Sequence, residues 1–327
     1  GLMQYETSIV SQDLDEYVMA GAEDQSIIKI IINTSGSENP ISVTNFFLNS
    51  NGTTNSADVT EAKLFYTGSN YNFSTEYQFG ETINNISNPF QITGNQILYP
   101  GDNYFWLTYS ISENATQMNL VDAECTSITC NGIARIPTIT APTGSCIIRS
   151  RMNGTYTVGA SGFYANLNEA IADIQLLGLS GDVTLSIISD ITEESPVVIY
   201  PWTEYGNGSY YIKISPANGN RTIQGDFSDN GVIILNNADR VIIDGELIPG
   251  ERNLSIINNA TTGTNCVIRL IGASANNGCN NVIIRNCVLS NGNFSNSTSI
   301  GIALGGDILG TQNTGYDNDN ITIENNL

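Results

Sequence analysis

The stretch Asp239-Arg240-Val241-Ile242-Ile243-Asp244-Gly245 recurs twice further along this chain of 327 residues. It returns at residues 280–286 (NNVIIRN) and 319–325 (DNITIEN), at spacings of 41 and 39 residues. Each copy is a β-branched run between turn-forming residues, and other strand-like runs lie before and after it. A repeat of about 40 residues with up to three strands is typical of coils that stack and bury one continuous core. We therefore predict a right-handed parallel β-helix over residues 154–327.

Stacking the copies in register produces two columns of equivalent positions. The corner after each strand is occupied by Gly245, Asn286 and Asn325. Gly and Asn tolerate a left-handed backbone, which a tight corner requires. The position before the corner carries a charge in every copy: Asp244, Arg285 and Glu324. Because neighbouring strands lie about 4.8 Å apart, we predict a column of ion pairs that disfavours slipped registers.

A single convincing helix precedes the repeats. Asn166 suits the N-cap, Glu169 can bond back to the backbone, and Gly178 suits the C-terminal end. One apolar face is formed by Leu167, Ala170, Ile171, Ile174 and Leu177. Such a helix covers the exposed end of a β-helix. The sequence around it, GFYANLNEAIADI at 162–174, resembles the N-terminal cap of pectin-lyase-like proteins.

The first half of the chain has a different pattern. Short β-rich runs alternate with turn residues from residue 1 to about 145, and none keeps a helical apolar period. This predicts an all-β chain that begins with a β-sandwich, Ig-like in type, at residues 1–135. Residues 136–153, which contain two prolines and a glycine, are predicted to link it to the β-helix at 154–327.

Residues 26–132 also resemble a known family. The runs SIIKIIINTSG, ISVTNFFLNSNGTT, LYPGDNYFWLTYSI and VDAECTSITCNG look like the sialidase-associated N-terminal domain of secreted Bacteroidetes surface proteins. The resemblance implies a non-catalytic accessory module on a protein exported by type IX secretion. Four clustered aromatic residues form either a sugar platform or part of the core, and packing is the commoner use of strand aromatics: Tyr104, Phe105, Trp106 and Tyr109.

Composition excludes several functions. The net charge of −21 disfavours binding to nucleic acid or to an anionic membrane surface. The chain has no His, which excludes both catalytic triads and metal sites that depend on His. It also has no apolar run long enough to span a membrane. Six cysteines are present without a CxxC pair, so either two disulfides, Cys125–Cys130 and Cys279–Cys287, or buried thiols are compatible with the sequence. We expect a secreted, extracellular protein.

No complete catalytic set and no certain cofactor can be identified. The densest acidic turn, residues 316–320, offers Asp317 and Asp319 as calcium ligands, although it lacks the glycine and distal glutamate of an EF-hand loop. Elsewhere a lone Asp is more often a solvated turn residue than part of a carboxylate pair.

Three functions remain open at the level of sequence. The first is an adhesin-like or structural surface protein that binds polysaccharide or other surface proteins. The second is a polysaccharide lyase, esterase or glycosidase whose active coils lie outside this chain. The third is a self-assembling subunit of an extracellular filament. The sequence stops within a repeat, so we expect the β-helix to continue beyond residue 327.

Overall fold

The computed structural model describes residues 1–12, 17–272, 274–292, 298–309 and 316–327. The chain divides into two compact units, residues 1–150 and 151–327. Both are built from β-strands, and one α-helix lies at the start of the second unit. The all-β prediction, with a sandwich first and a parallel β-solenoid second, is confirmed.

The strands of the first unit run in chain order as follows: β1 (Gln4–Ser11), β2 (Tyr17–Met19), β3 (Gln25–Ser35), β4 (Ser42–Asn49), β5 (Val59–Gly68), β6 (Gln78–Asn84), β7 (Phe90–Ile97), β8 (Gly101–Ile111), β9 (Leu120–Val121), β10 (Glu124–Cys130), β11 (Ile133–Arg135) and β12 (Cys146–Arg149). A 3₁₀ turn, Ser56–Asp58, precedes β5. One sheet has the order β1-β3-β8-β5-β6 and a second has the order β11-β10-β4-β7, both antiparallel.

The two sheets share a core because alternate side chains of their strands point inward. Phe105 of β8 and Phe46 of β4 come from different sheets, and their ring centres lie 4.9 Å apart. Ile30, Leu107 and other apolar side chains join the same cluster. This pairing of inner faces is the packing expected of a sandwich.

Part of the predicted linker belongs to the first unit. Within residues 136–153, β12 pairs in parallel with β2 and antiparallel with β9. Cys146 and Ile148 of β12 are fully buried, which accounts for the apolar character of this segment. The division between the units falls between Ser150 and Arg151.

The second unit contains β13 (Met152–Val158), α1 (Leu167–Leu177), β14 (Leu179–Ile187), β15 (Ile191–Thr192), β16 (Val197–Ile199), β17 (Ile212–Pro216), β18 (Arg221–Gly225), β19 (Ile233–Asn236), β20 (Val241–Asp244), β21 (Leu254–Asn258), β22 (Thr264–Ile271), β23 (Ile283–Arg285), β24 (Cys287–Asn291), β25 (Thr298–Gly305) and β26 (Thr322–Glu324). These strands form three parallel sheets: β13-β14-β17-β20-β23-β26, β15-β18-β21-β24 and β16-β19-β22-β25. Each coil contributes one strand to each sheet. The three sequence copies lie on β20, β23 and β26 of one sheet, in the predicted register.

Helix α1 begins as the sequence predicts. The side-chain oxygen of Asn166 accepts a hydrogen bond of 2.9 Å from the Glu169 amide. Glu169 reaches back to the amide of Ala165 rather than to that of the N-cap residue. A further carboxylate, Glu193 from the following coil, accepts a bond of 2.7 Å from the Leu167 amide. Burial raises the pKa of Glu193, and the hydrogen bonds that it accepts from Leu167 and Asn168 oppose that rise.

The predicted corner has a different physical basis in its first copy. Asn286 and Asn325 are left-handed, with φ of 56° and 51°, but Gly245 is not. Gly245 is required instead because a Cβ there would overlap the backbone oxygen of Asn286 in the next coil. The left-handed position that recurs in all three copies lies at the start of the strands, at Arg240, Asn281 and Asn320 (φ 55°, 56° and 52°).

All six cysteines lie in the described ranges and carry buried, reduced thiols. Cys125 and Cys130 belong to one extended strand, so their Cα atoms are separated by about five strand steps of 3.3 Å, too far for a disulfide. The thiols of Cys279 and Cys287 donate to backbone oxygens of Leu235 (3.3 Å) and Arg285 (3.1 Å). The structure thus favours the thiol alternative over the disulfides.

Candidate functional site

A pocket of the first unit lies at the end of β5. It is open to solvent and has a volume of about 480 Å³. Its lining comes from the end of β5, the β5–β6 connection, β7 and the turn before β8: Tyr66, Thr67, Gly68, Asn70, Ser74, Glu76, Tyr77, Gln96 and Tyr99. We call this the tyrosine pocket.

Asn103 of β8 holds two sides of the tyrosine pocket together. Its side chain is fully buried, and its Oδ1 accepts hydrogen bonds from the Tyr66 hydroxyl (2.7 Å) and the Tyr99 amide (2.9 Å). Its Nδ2 donates to the carbonyl oxygens of Tyr99 (2.8 Å) and Gly101 (3.1 Å). A buried amide with its donors and acceptors satisfied is rigid, so the backbone of Tyr99 is fixed while its ring points outward.

The β5–β6 connection is anchored by an aromatic contact. The ring centre of Phe73 lies 5.7 Å from that of Trp106 and 6.2 Å from that of Phe65. The Trp106 Nε1–H donates to the hydroxyl of Thr67 at 3.0 Å, and the Thr67 hydroxyl donates to the carbonyl of Asn70 at 2.6 Å. These contacts fix the start of the loop that carries Glu76 and Tyr77.

Two tyrosine rings of the pocket are solvent-facing. Tyr77 is 63% exposed and Tyr99 is 59% exposed. The hydrogen bond and charge of the neighbouring Glu76 raise the pKa of Tyr77, so its phenol is neutral at physiological pH. An aromatic ring with one apolar face and a polar tip is suited to a ligand that is itself amphipathic.

The chemistry of the pocket is therefore that of a binding site with polar and apolar parts. It offers two ring faces, the amides of Asn70 and Gln96, and the carboxylate of Glu76. Sites of this composition orient a ligand by a few hydrogen bonds and gain affinity by covering its apolar surface. The volume accommodates a short oligosaccharide or a molecule of similar size.

The aromatic residues that stood out in the sequence lie mostly in the core. Phe105 and Tyr109 are fully buried, Trp106 is 6% exposed, and only Tyr104 is half-buried. The core alternative is therefore the correct interpretation of this run. Sequence reasoning missed Tyr77 and Tyr99, although their positions next to turn residues distinguish them from strand aromatics.

The proposed calcium ligands, Asp317 and Asp319, both bond to residues of the preceding coil. Asp317 accepts a hydrogen bond from the Asn276 amide, and Asp319 pairs through its backbone with Asn280 and Cys279. Within the described ranges no group of three His, Cys, Asp or Glu residues could hold a metal ion. The neighbouring residues 310–315 lie outside the described part of the chain, and a calcium site at Asp317 and Asp319 stays a prediction.

The predicted charge column is present on the sheet that contains β20, β23 and β26. Arg285 Nη2 lies 3.0 Å from Asp244 Oδ2, and Arg285 Nη1 lies 3.7 Å from Glu324 Oε1. Lys213 adds a contact of 3.4 Å to Asp244, whose side chain is only 4% exposed. Burial alone would raise the pKa of Asp244, but bonds from Asn286 and Arg285 lower it below its usual value. These contacts connect neighbouring coils.

A smaller depression of about 190 Å³ lies on the solenoid beside Trp202. Its cation is already paired, since Arg240 Nη2 lies 2.9 Å from Glu204 Oε1 and its guanidinium lies 5.9 Å from the Trp202 ring centre. Glu204 also accepts bonds from the amides of Ser209 and Tyr210. The ion pair with Arg240 and these hydrogen bonds stabilise the loop that carries Glu204, which accounts for the charged residues beside the depression.

The first unit resembles a known family of domains. Residues 6–133 match the family model described as the N-terminal domain of BNR-repeat neuraminidase. This confirms the predicted sialidase-associated domain. Together with the β-solenoid, the match indicates a carbohydrate-related protein.

Two solved structures show weak similarity to this chain. The Hadza microbial sialidase Hz136 aligns with 44% of this chain at 13% identity and a TM-score of 0.34, and the aligned chain spans 31% of that protein. The Agl-KA catalytic domain aligns with 99% of this chain and 75% of its own length, at 10% identity and a TM-score of 0.15. At these scores neither similarity indicates a function. The search of curated proteins returned no match.

No helix within the described ranges combines the length and the apolar character needed to cross a membrane.

Proposed function

We propose that this protein is a secreted, adhesin-like protein of the cell surface that binds glycans through the tyrosine pocket. The observation that carries the proposal is the pair of exposed rings, Tyr77 and Tyr99, on a rim that Asn103 and Phe73 hold in place. The family match of residues 6–133 supports a role near carbohydrate. In this proposal the solenoid is a stalk that presents the first unit.

The preformed geometry favours binding over a purely structural role. Large exposed aromatic side chains are usually scattered over a surface, whereas these two border the same concave surface. Rings whose backbone is fixed before binding lose little conformational entropy when a ligand covers them.

The proposal is tested with the full chain on an oligosaccharide array. Tyr77→Ala and Tyr99→Ala are each expected to weaken binding by about tenfold or more, because alanine removes an apolar face at the pocket. Tyr71→Ala is the matched control, since Tyr71 is 67% exposed but does not line the pocket.

The outcomes separate binding from other functions. Equal affinities for the wild type, Tyr99→Ala and Tyr71→Ala would reject the tyrosine pocket as the binding site. Chemical analysis of the bound glycans after incubation distinguishes an adhesin, which leaves them unchanged, from a glycan-cleaving enzyme.

A further inference from the structure

We infer that the tyrosine pocket selects neutral glycans and discriminates against sialylated, uronate-containing or sulfated ones. This inference rests on the proposed function and specifies its ligand class. Among the lining side chains, Glu76 alone carries a charge at neutral pH, and it is negative. No Lys or Arg belongs to the lining.

The basic residues of the first unit are few and engaged elsewhere. Residues 1–150 contain four Lys or Arg and fifteen Asp or Glu. Lys63 is paired with Asp24 at 3.0 Å and with Glu61 at 3.3 Å. Lys29 lies 5.2 Å from the Trp106 ring centre, and Arg135 lies 4.8 Å from that of Tyr5.

The fourth basic residue, Arg149, donates to the Met118 sulfur at 3.1 Å and belongs to β12, a strand of the small sheet β2-β12-β9. None of these contacts involves the tyrosine pocket. A ligand bound there therefore meets no cationic partner among the described side chains of the first unit.

Anionic sugars need the opposite environment. Carboxylate and sulfate groups are recognised by Arg or Lys, most strongly when Arg binds with two parallel hydrogen bonds. A second negative group within about 5 Å of the Glu76 carboxylate is repelled, which weakens binding by about tenfold at intermediate dielectric. The overall acidic balance of the unit acts in the same direction.

Neutral sugars match what the pocket provides. A carboxylate such as Glu76 accepts charge-assisted hydrogen bonds from hydroxyl groups. Gln96 Nε2 donates to the Ile97 carbonyl, and Asn70 Oδ1 accepts from the Asn72 amide, so each amide keeps a second polar atom for a ligand hydroxyl. The exposed rings of Tyr77 and Tyr99 cover the apolar C–H face of a pyranose.

The test compares paired probes on the full chain by calorimetric titration. The probes are N-acetyllactosamine and its α-sialylated derivative, and cello-oligosaccharide and an oligogalacturonate of the same length. The neutral member of at least one pair is expected to bind about tenfold or more tightly than its anionic partner. The affinity for the neutral probe should depend little on the NaCl concentration.

A charge reversal sharpens the comparison. Glu76→Lys is expected to raise the affinity for the anionic probe by about tenfold or more relative to the wild type. The matched control is Glu81→Lys, which makes the same change in net charge at an exposed position of β6 outside the lining. A control that gains as much as Glu76→Lys would attribute the effect to net charge and overturn the local argument.

The remaining outcomes separate the two proposals. Tighter binding of the anionic probe that is lost in Tyr99→Ala would overturn the neutral-ligand inference and leave the pocket as the binding site. Binding of either probe that persists in Tyr99→Ala would overturn the proposed site itself.

Discussion

At the scale of single residues, the buried amide of Asn103 links the core of the first unit to its pocket. Its hydrogen bonds reach Tyr66 on β5 and the backbone on both sides of the turn before β8. Removal leaves several buried groups without partners, and each such group costs about 1–3 kcal/mol.

We expect Asn103→Ala to lower the free energy of unfolding by about 2–4 kcal/mol and to weaken glycan binding. Urea unfolding measures the first effect in a Trp202→Phe background, where the fluorescence of Trp106 alone reports on the first unit. Asn95→Ala, at an exposed position of β7, is the control and should remain within about 0.5 kcal/mol of the wild type. Equal stabilities of the two variants would contradict this role of Asn103.

The buried carboxylate of Asp244 makes the stability of the folded protein depend on pH. Its pKa in the folded protein lies below the ordinary value, so its contribution to stability is complete above about pH 4 and is lost as the pH falls through the folded pKa. Asp244→Asn should therefore destabilise the protein at pH 7, and the difference from the wild type should shrink at about pH 3.

Chemical denaturation at the two pH values measures this change. Asp226→Asn, at an exposed position, serves as control and should show no such convergence. A difference for Asp244→Asn that stays constant between the two pH values would refute the assignment.

Residue-level function was the least predictable part of the sequence. The run that contains Phe105, Trp106 and Tyr109 attracts attention by composition, but the register of β8 turns most of it inward. The turn residues beside Tyr77 and Tyr99 indicate exposure, but the meeting of both rings at one pocket depends on how two separate loops come together. That information is non-local, and no periodic pattern encodes it.

At the scale of elements, the solenoid was predictable because its pattern is local and repeated. The three copies on β20, β23 and β26 pair in the register that the sequence implies. Helix α1 was likewise marked by its N-cap Asn166. The sequence did not show the close approach of neighbouring coils at Gly245, which depends on the spacing between coils rather than on backbone dihedral angles.

Arg285→Glu tests the charge column. The substitution places three acidic side chains in line, one of them the buried Asp244, and we expect the melting temperature to fall by about 5–10 °C. Adding Glu324→Arg should recover part of the loss by restoring the outer pair. Differential scanning calorimetry measures both variants, and an unchanged or higher melting temperature for Arg285→Glu would eliminate the column as a stabilising feature.

Gly245→Ala tests the contact between coils. Its Cβ would overlap the Asn286 carbonyl, a backbone atom that cannot rotate away, so we expect a loss of about 2–4 kcal/mol. Gly301→Ala in β25 is the matched control because its Cβ would meet no atom within 4 Å. The control should be neutral or slightly stabilising, because alanine restricts the unfolded chain. Similar losses in both variants would show that the overlap with Asn286 is not the cause of the loss at Gly245.

At the scale of the whole molecule, the chain consists of two units that are built differently. The first has a sandwich core, an exposed aromatic pocket and a family match over residues 6–133. The second is a stack of coils joined by polar and ionic contacts such as the 2.6 Å bond between the side chains of Asn325 and Asn286. The order of strands in the sandwich could not be predicted, because pairing between segments far apart in sequence has no local signature.

The most direct test of glycan binding at the tyrosine pocket is hydroxyl-radical footprinting of the full chain with and without the neutral oligosaccharide that it binds. We predict that Tyr77 and Tyr99 become protected when the glycan is bound, while Tyr71 and Tyr200, which are exposed but outside the lining, keep their reactivity. Protection of Trp202 on the solenoid with unchanged reactivity of Tyr77 and Tyr99 would contradict the account.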